Sequence, residues 1–180
     1  MAGLDFDDVL IVPQVSNVNS RDDVDISVTL RKGQVLKFPL IASPMVGVTD
    51  GQFAKKLSYL GGLAIIHRFY SSREEQINDI RNNLTENDRF GIAIKIDEEN
   101  IEELIDLNPT ILLIDTANGY TRKLFEYCAH IANTLLSHNH YCNLMAGNAA
   151  TADGYCTLFD AGCDIVRVGI GGGSVCSTRN

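Results

Sequence analysis

Residues 110–118 read TILLIDTAN, an unbroken apolar run that ends in an acid and an amide. Continuous apolar strands are typical of parallel sheets that are buried on both faces, because strands with one solvated face alternate instead. Short runs of the same kind recur along the chain. They predict strands over residues 39–45, 62–67, 90–95, 110–117, 141–147 and 164–169.

Amphipathic stretches separate these strands, and each begins with a Ser, Thr or Asp suited to the N-cap position. They predict helices over residues 50–60, 71–84, 97–107, 121–137 and 151–161. Ser72 followed by Glu75 has the spacing of a capping box. A strand and a helix recur about every 20 to 30 residues, which indicates an α/β fold. Before the repeat, residues 9–13 and 24–30 predict a small β layer.

Nearly every predicted strand ends in polar side chains or glycines, namely Ser43, His67 with Arg68, Lys95, Asp115 with Asn118, Asn148, and the loop 169–173 that leads to Cys176. A (β/α)8 barrel collects reacting groups at the carboxyl ends of many strands, whereas a doubly wound sheet concentrates them at one switch point. We therefore predict a TIM-barrel type fold in a single domain over residues 1–180. A barrel takes about 250 residues, so this chain would cover about six of the eight units, with the others in a longer polypeptide or a partner chain.

The composition limits the function classes. A formal charge of -8, from 15 basic and 23 acidic residues, opposes general binding to nucleic acids or anionic membranes but allows a local phosphate site. No apolar run approaches the roughly 20 residues that cross a bilayer, and the acidic amino terminus differs from a secretory signal. Five cysteines without a C-x-x-C pair predict reduced thiols. We expect a cytoplasmic protein.

Residues 168–180, VGIGGGSVCSTRN, are the most informative stretch for chemistry. The glycines allow close backbone approach, so that successive N–H groups can face a phosphate, and Ser174 adds a hydroxyl. Cys176 follows at the end of the sixth predicted strand, where a thiolate would attack an electrophilic carbon. Glycine-rich runs are also common in flexible loops, so composition alone leaves both interpretations open. The other four cysteines are predicted to be small buried hydrophobic residues.

The whole chain resembles the IMP dehydrogenase / GMP reductase family. Matching segments follow one another in the family's order: LDFDDVLIVP (4–13), SRDDVDIS (20–27), ASPM (42–45), GGLAIIHR (61–68), LIDTANGY (113–120), LMAGNAAT (144–151) and VGIGGGSVCSTR (168–179). The resemblance implies a (β/α)8 barrel and chemistry at C2 of a purine nucleotide through a covalent cysteine adduct. Cys176 matches the nucleophile, and Thr178 matches the threonine that handles protons at the leaving group.

The resemblance also implies the rest of the site. Substrate-binding positions are Ser43, Met45, Gly173 and Ser174, and positions facing nicotinamide and ribose are Arg68, Asp115, Asn118 and Asn148. The carbonyls of Gly171, Gly173 and Cys176 match those that hold a potassium ion. From the residues alone, structural roles stay open for Ser43 at a strand end, His67 in the core, and Asn118 in a turn with Gly119.

Some features of the chain depart from the family pattern. Gly172 stands where the family usually has proline, Val46 and Gly47 where it has Asp-Thr, and Arg68 where it has lysine, which has a different geometry. The resemblance also implies elements after the cysteine, including two strands and the flap, which the 180 residues do not contain.

The resemblance favours the reductase branch, because the regulatory modules that dehydrogenases insert after the second helix are missing. The reaction would be NADPH-dependent deamination of GMP to IMP. GGLAIIHRFYS, by contrast, leans towards a dehydrogenase that converts IMP to XMP with NAD. A third hypothesis is a non-catalytic half-barrel that needs a partner chain, since open sheet edges favour association. The family is usually tetrameric, so we expect a homo-oligomer or a complementing chain.

Overall fold

The computed structural model describes residues 8–138 and 140–171. After a short 3-10 turn at Arg21–Asp23, the elements follow in chain order as β1 (Val28–Thr29), β2 (Val35–Leu36), β3 (Ile41–Ala42), α1 (Gly51–Tyr59), β4 (Leu63–Ile66), α2 (Arg73–Asn83), β5 (Phe90–Ile94), α3 (Glu102–Ile105), β6 (Ile111–Asp115), α4 (Arg122–Ser137), β7 (Asn143–Ala149), α5 (Ala152–Asp160) and β8 (Ile165–Val168). None of the helices in this part of the chain is long and apolar enough to cross a bilayer.

The strands β3 to β8 form one parallel sheet in the order of the sequence. Sequential order and a helix between strands are the pattern of a (β/α)8 barrel, whereas a doubly wound sheet reverses its strand order. The sheet curls into a half-barrel, which confirms the predicted incomplete barrel and all six predicted strands. Within the described residues, β3 and β8 are its outer strands.

Apolar side chains bury both faces of the sheet. The outer face packs against the helices, while the concave face is filled by Leu63, Ile65, Ile111, Leu113 and Met145 together with two leucines of the amino-terminal hairpin. Successive residues of a strand point to opposite faces, so a strand that is buried on both sides has an unbroken apolar sequence. This two-sided burial explains the ILLI run that precedes Asp115.

The β1–β2 hairpin closes the amino end of the half-barrel. The fully buried Asn143 donates from Nδ2 to Gln34 Oε1 at 2.9 Å and to the Thr110 carbonyl at 3.0 Å, and its Oδ1 accepts from the Lys32 amide at 3.1 Å. Because a buried amide must find partners for both ends, these bonds fix the hairpin beneath β6 and β7. Because the hairpin covers the amino ends of the strands, a ligand site is expected at their carboxyl ends.

Four helices begin where the sequence predicts. Asp50, Ser72, Thr121 and Thr151 each accept a hydrogen bond from the amide three residues on, as N-caps do. Ser72 and Glu75 form only half of the predicted capping box. The Ser72 Oγ accepts from the Glu75 amide, but Glu75 Oε2 accepts from the amide of Ser71, at 2.9 Å, instead of that of Ser72.

Two local predictions were wrong. Residues 97–101 are not helical, because Asp97 and Asn100 adopt positive φ angles of 61° and 50°, and only α3 remains of the predicted helix. The amino-terminal β layer is a hairpin of β1 and β2, which turns at Gly33 with φ 91°. Residues 9–13 form no strand.

Candidate functional site

The Asp115 carboxylate lies between two arginines at the carboxyl edge of the sheet. Its Oδ2 is 3.4 Å from Arg68 Nε, and its Oδ1 accepts a hydrogen bond from Arg167 Nη1 at 3.2 Å. The three side chains are 20%, 29% and 23% exposed, for Asp115, Arg68 and Arg167 respectively. Partial burial strengthens such pairs relative to surface pairs. One carboxylate faces two cations, so the cluster carries an excess positive charge.

Gly147 makes this arrangement possible. The register pairs Asp115 with Gly147 and Gly147 with Arg167, so the acid and the arginine are separated by one strand. A glycine there leaves the space through which the Arg167 side chain reaches Asp115. Arg167 was not among the residues predicted for the site. The sequence feature that could have identified Arg167 is a lone cation inside the apolar run DIVRVG at 164–169. A charge in a strand that is predicted to be buried needs a partner.

We expect Asp115→Asn to lower the free energy of unfolding by about 1 to 2 kcal/mol, because two partly buried guanidinium groups lose their counter-charge. Urea denaturation measures the change. The matched control is Asp97→Asn, whose carboxylate pairs with Lys123 at an exposed position (59% and 66% exposed). That variant should change the free energy by less than about 0.5 kcal/mol. Equal losses in the two variants would contradict a special role for the Asp115 cluster.

Three loops meet beside the cluster. Asn148 donates from Nδ2 to the Gly169 carbonyl at 2.6 Å, and its own carbonyl accepts from the Gly119 amide at 3.0 Å. A Cβ on Gly119 would lie 2.5 Å from the Asn148 carbonyl oxygen, so only glycine permits this approach. Asn118 Oδ1 accepts from the Tyr120 amide at 2.9 Å in an Asx-type turn. The structure thus brings Asn118 and Asn148, two predicted cofactor positions, together.

The loop after β3 carries the two predicted substrate positions that are described. Ser43 and Met45 are exposed. The fully buried Thr49 fixes this loop, because its Oγ1 accepts from the Met45 amide at 2.8 Å and donates to the Met45 carbonyl at 3.2 Å. Thr49 is a positioning residue that the sequence analysis missed. A hydroxyl that closes a local turn has no periodic signal.

His67 is buried, and its contacts fit a structural role. Its Nδ1 accepts from the Phe69 amide at 3.2 Å, and its ring stacks on Tyr70 with centroids 4.4 Å apart. The Tyr70 hydroxyl in turn donates to Asp79 Oδ2 at 2.6 Å. Burial lowers the pKa of His67, although the charges of Asp79 and Asp50 oppose this shift.

This pKa shift predicts a pH dependence of stability. A histidine with a lowered pKa takes up its proton at a lower pH in the folded protein than in the unfolded chain, where its ordinary pKa is 6.5. The unfolded state then binds more protons, so the free energy of unfolding should fall as pH drops from about 7 to 5.5. His67→Gln should reduce this dependence, and the part that remains is expected from His140, whose pKa burial also lowers. Chemical denaturation at several pH values measures it, and equal slopes in wild type and His67→Gln would contradict the prediction.

The described cysteines do not form a reactive site. Cys128, Cys142 and Cys163 are buried, as predicted, but Cys156 is exposed, which corrects the prediction for that residue. Burial raises the pKa of Cys142 to about 12. Gly173, Ser174, Cys176 and Thr178 lie outside the described residues. Of the predicted potassium site, only Gly171 is described, with φ 57°. Among residues 8–138 and 140–171, no group of His, Cys, Asp or Glu could hold a metal ion.

The chain is similar to known proteins over nearly its whole length. The sequence model of the IMP dehydrogenase / GMP reductase domain matches residues 3–180. A "GMP reductase" from Lysinibacillus sphaericus is 34% identical over 97% of this chain and 53% of its own length. "GMP reductase 2" from Bos taurus is 31% identical, with 98% and 52% covered. An "Inosine-5'-monophosphate dehydrogenase" from Cryptosporidium parvum is 28% identical, with 98% and 54% covered. The chain thus spans about half the length of these relatives.

Proposed function

Because the chain belongs to the IMP dehydrogenase / GMP reductase domain family, we propose that it contributes the active-site face of an NADPH-dependent GMP reductase. The observation that carries the proposal is the Asp115 cluster at the carboxyl ends of β4, β6 and β8, where barrels hold their reacting groups. The relatives named GMP reductase are 31% and 34% identical, against 28% for the dehydrogenase, which supports the reductase branch.

In the proposed reaction the Cys176 thiolate adds to C2 of GMP, and the amino group leaves as ammonia with a proton handled through Thr178. When bound, NADPH supplies the hydride that replaces the amino group, so that GMP, NADPH and two protons give IMP, NADP+ and ammonium. The bond between Cys176 and C2 then breaks and returns the thiolate. Ser174 and Gly173 would hold the substrate phosphate, with Ser43 and Met45 beside the purine.

Two features of the described residues support the proposal of an anionic dinucleotide cofactor. Arg68 Nε is buried and makes no hydrogen bond, although it lies in ion-pair range of Asp115. This unsatisfied donor and the excess positive charge of the cluster favour a ligand that carries acceptors. We propose that Arg68 binds the cofactor and that Asp115, Asn118 and Asn148 position its nicotinamide and ribose. A potassium ion at Gly171, Gly173 and Cys176, a homo-oligomer and a cytoplasmic location belong to the same proposal.

The dehydrogenase reaction, IMP with NAD to XMP, is the second candidate. The similarity to the Cryptosporidium parvum dehydrogenase over 98% of the chain favours it. Against it, α2 ends at Asn83 and β5 begins at Phe90, so the connection 84–89 contains no regulatory module.

Absorbance at 340 nm distinguishes the two reactions. The purified protein is incubated with GMP and NADPH, and separately with IMP and NAD, in potassium buffer. We expect a GMP-dependent loss of absorbance and no change with IMP and NAD. An IMP-dependent gain alone would overturn the reductase assignment in favour of the dehydrogenase, and no change in either reaction would overturn both.

A further inference from the structure

A second feature of the carboxyl edge is a cleft beside the Asp115 cluster. It has a volume of about 170 Å³ and is lined by Arg68, Tyr70, Ser72, Arg73, Gln76, Lys95 and Glu98. These residues follow β4 and β5 or begin α2, so the cleft lies between two strand ends and a helix start. Its volume suits a charged group with a few waters, since whole-ligand pockets have about 300 to 1,000 Å³.

The cleft is positive although the chain is acidic. Among the residues that line the cleft, Arg68, Arg73 and Lys95 outnumber the one carboxylate, Glu98, whereas the whole chain carries a formal charge of -8. Arg68 also pairs with Asp115, whose second cation is Arg167, so the two sites together keep an excess of positive charge. A cleft lined by one sign of charge concentrates ligands of the opposite sign. An anion is therefore the ligand class that this cleft fits.

The cations that line the cleft differ in whether their side chains already have ion-pair or hydrogen-bond partners. Arg73 pairs with Glu98 and donates from Nη1 to the Asn100 carbonyl at 2.8 Å. The other carboxylate oxygen of Glu98 accepts from the Lys95 amide at 3.3 Å. The Lys95 ammonium has no ion-pair or hydrogen-bond partner in the described part of the chain. Glu98 thus binds the Arg73 side chain and the Lys95 backbone, and the Lys95 ammonium remains available to bind a ligand.

The cleft adjoins the candidate site, and a buried hydrogen bond links its helix to its strand. The buried Gln76 donates from Nε2 to the His67 carbonyl at 2.9 Å, which ties α2 to the end of β4. The Arg68 guanidinium lies 4.3 Å from the centroid of the Phe69 ring and also reaches Asp115. Arg68 is therefore shared, and a ligand in the cleft extends directly from the Asp115 cluster.

We propose that this cleft binds a phosphoryl group of a nucleotide ligand, with Lys95 as its principal cation and Arg68 as its link to the Asp115 cluster. Ser72 and Arg73, the cap and first residue of the 11-residue helix α2, also line the cleft. The choice of a nucleotide rests on the proposed function. The phosphoryl group belongs to the dinucleotide cofactor, because the single phosphate of GMP is already assigned to Gly173 and Ser174.

Calorimetric titration with inorganic pyrophosphate at low salt tests the site itself. We expect Lys95→Gln to raise the Kd about tenfold, through loss of a charge-assisted contact. Lys95→Arg should stay within about threefold of wild type. The matched control, Lys55→Gln, removes an exposed lysine of α1 that does not line the cleft, and it should leave the Kd unchanged. No binding to wild type, or an equal Kd in Lys95→Gln, would overturn the proposal.

Titrations with GMP and with NADPH identify the source of the phosphoryl group. Weaker NADPH binding alone in Lys95→Gln supports the assignment to the cofactor, whereas weaker GMP binding alone would contradict it and the placement of the GMP phosphate at Gly173 and Ser174. If neither ligand is weakened, the nucleotide assignment is wrong. These titrations need no turnover. A protein that binds pyrophosphate through Lys95 but forms no IMP would support the cleft and contradict the proposed reaction.

Discussion

Cys176→Ser is expected to lower kcat for GMP-dependent NADPH oxidation by at least about a thousandfold, because the hydroxyl that replaces the thiolate is a far weaker nucleophile at neutral pH. The described cysteines offer no substitute. Three of them are buried, and burial raises the pKa of Cys142 to about 12, which keeps that thiol protonated. Absorbance at 340 nm under saturating GMP and NADPH measures the loss.

The control for this prediction is Cys156→Ser. Cys156 is the exposed cysteine on α5, away from the carboxyl-edge residues of the candidate site. We expect its kcat to stay within about twofold of wild type, and thermal unfolding should show that both variants are folded. Turnover by Cys176→Ser at the wild-type rate would rule out the covalent mechanism.

Gly147→Ala is expected to lower the free energy of unfolding by at least about 2 kcal/mol. A Cβ at Gly147 would lie 2.6 Å from the Arg167 carbonyl oxygen and 2.8 Å from its Cβ. The Arg167 oxygen belongs to the backbone of the neighbouring strand β8, and the Arg167 Cβ is bonded to it. Neither atom can move without disturbing the hydrogen bonds between β7 and β8. The φ angle of 148° adds strain for any residue with a side chain. The substitution should also separate Arg167 from Asp115.

Gly33→Ala is the matched control for the packing contribution. Gly33 also has a positive φ, of 91°, but a Cβ there would meet nothing within 4 Å. Gly33→Ala should therefore lower the free energy of unfolding only through backbone strain, by about 1 kcal/mol. Urea denaturation of both variants gives the comparison. Equal losses would show that close contact at Gly147 contributes nothing beyond its backbone conformation.

Most of the fold could be predicted because its signals are local. The apolar runs that end at Asp115 and after Ile66 lie on single strands, and the caps at Ser72 and Thr121 act within one helical turn. Polar residues after successive strands were enough to favour a barrel, since parallel strands bring all their carboxyl ends to one edge. The positions Asp115, Asn118 and Asn148 could be selected in the same way.

The errors arose where distant residues decide the local structure. The predicted helix at 97–107 fails at its start because Glu98 pairs with Arg73, 25 residues earlier, and Asn100 accepts from the same arginine. The role of Arg167 depends on the register that sets it across Gly147 from Asp115. Neither relation is visible within a single strand or helix of the sequence, although the isolated charge of Arg167 in an apolar run is a signal that could have identified it.

Product analysis with deuterated NADPH tests the central claim most directly. The purified protein is incubated with GMP and with NADPH that carries deuterium at the transferable position, and the purine product is examined by mass spectrometry and NMR. The proposed reaction predicts IMP with deuterium at C2, formed in equal amount to ammonium and NADP+. A folded protein that forms no IMP, or IMP without deuterium at C2, would contradict it.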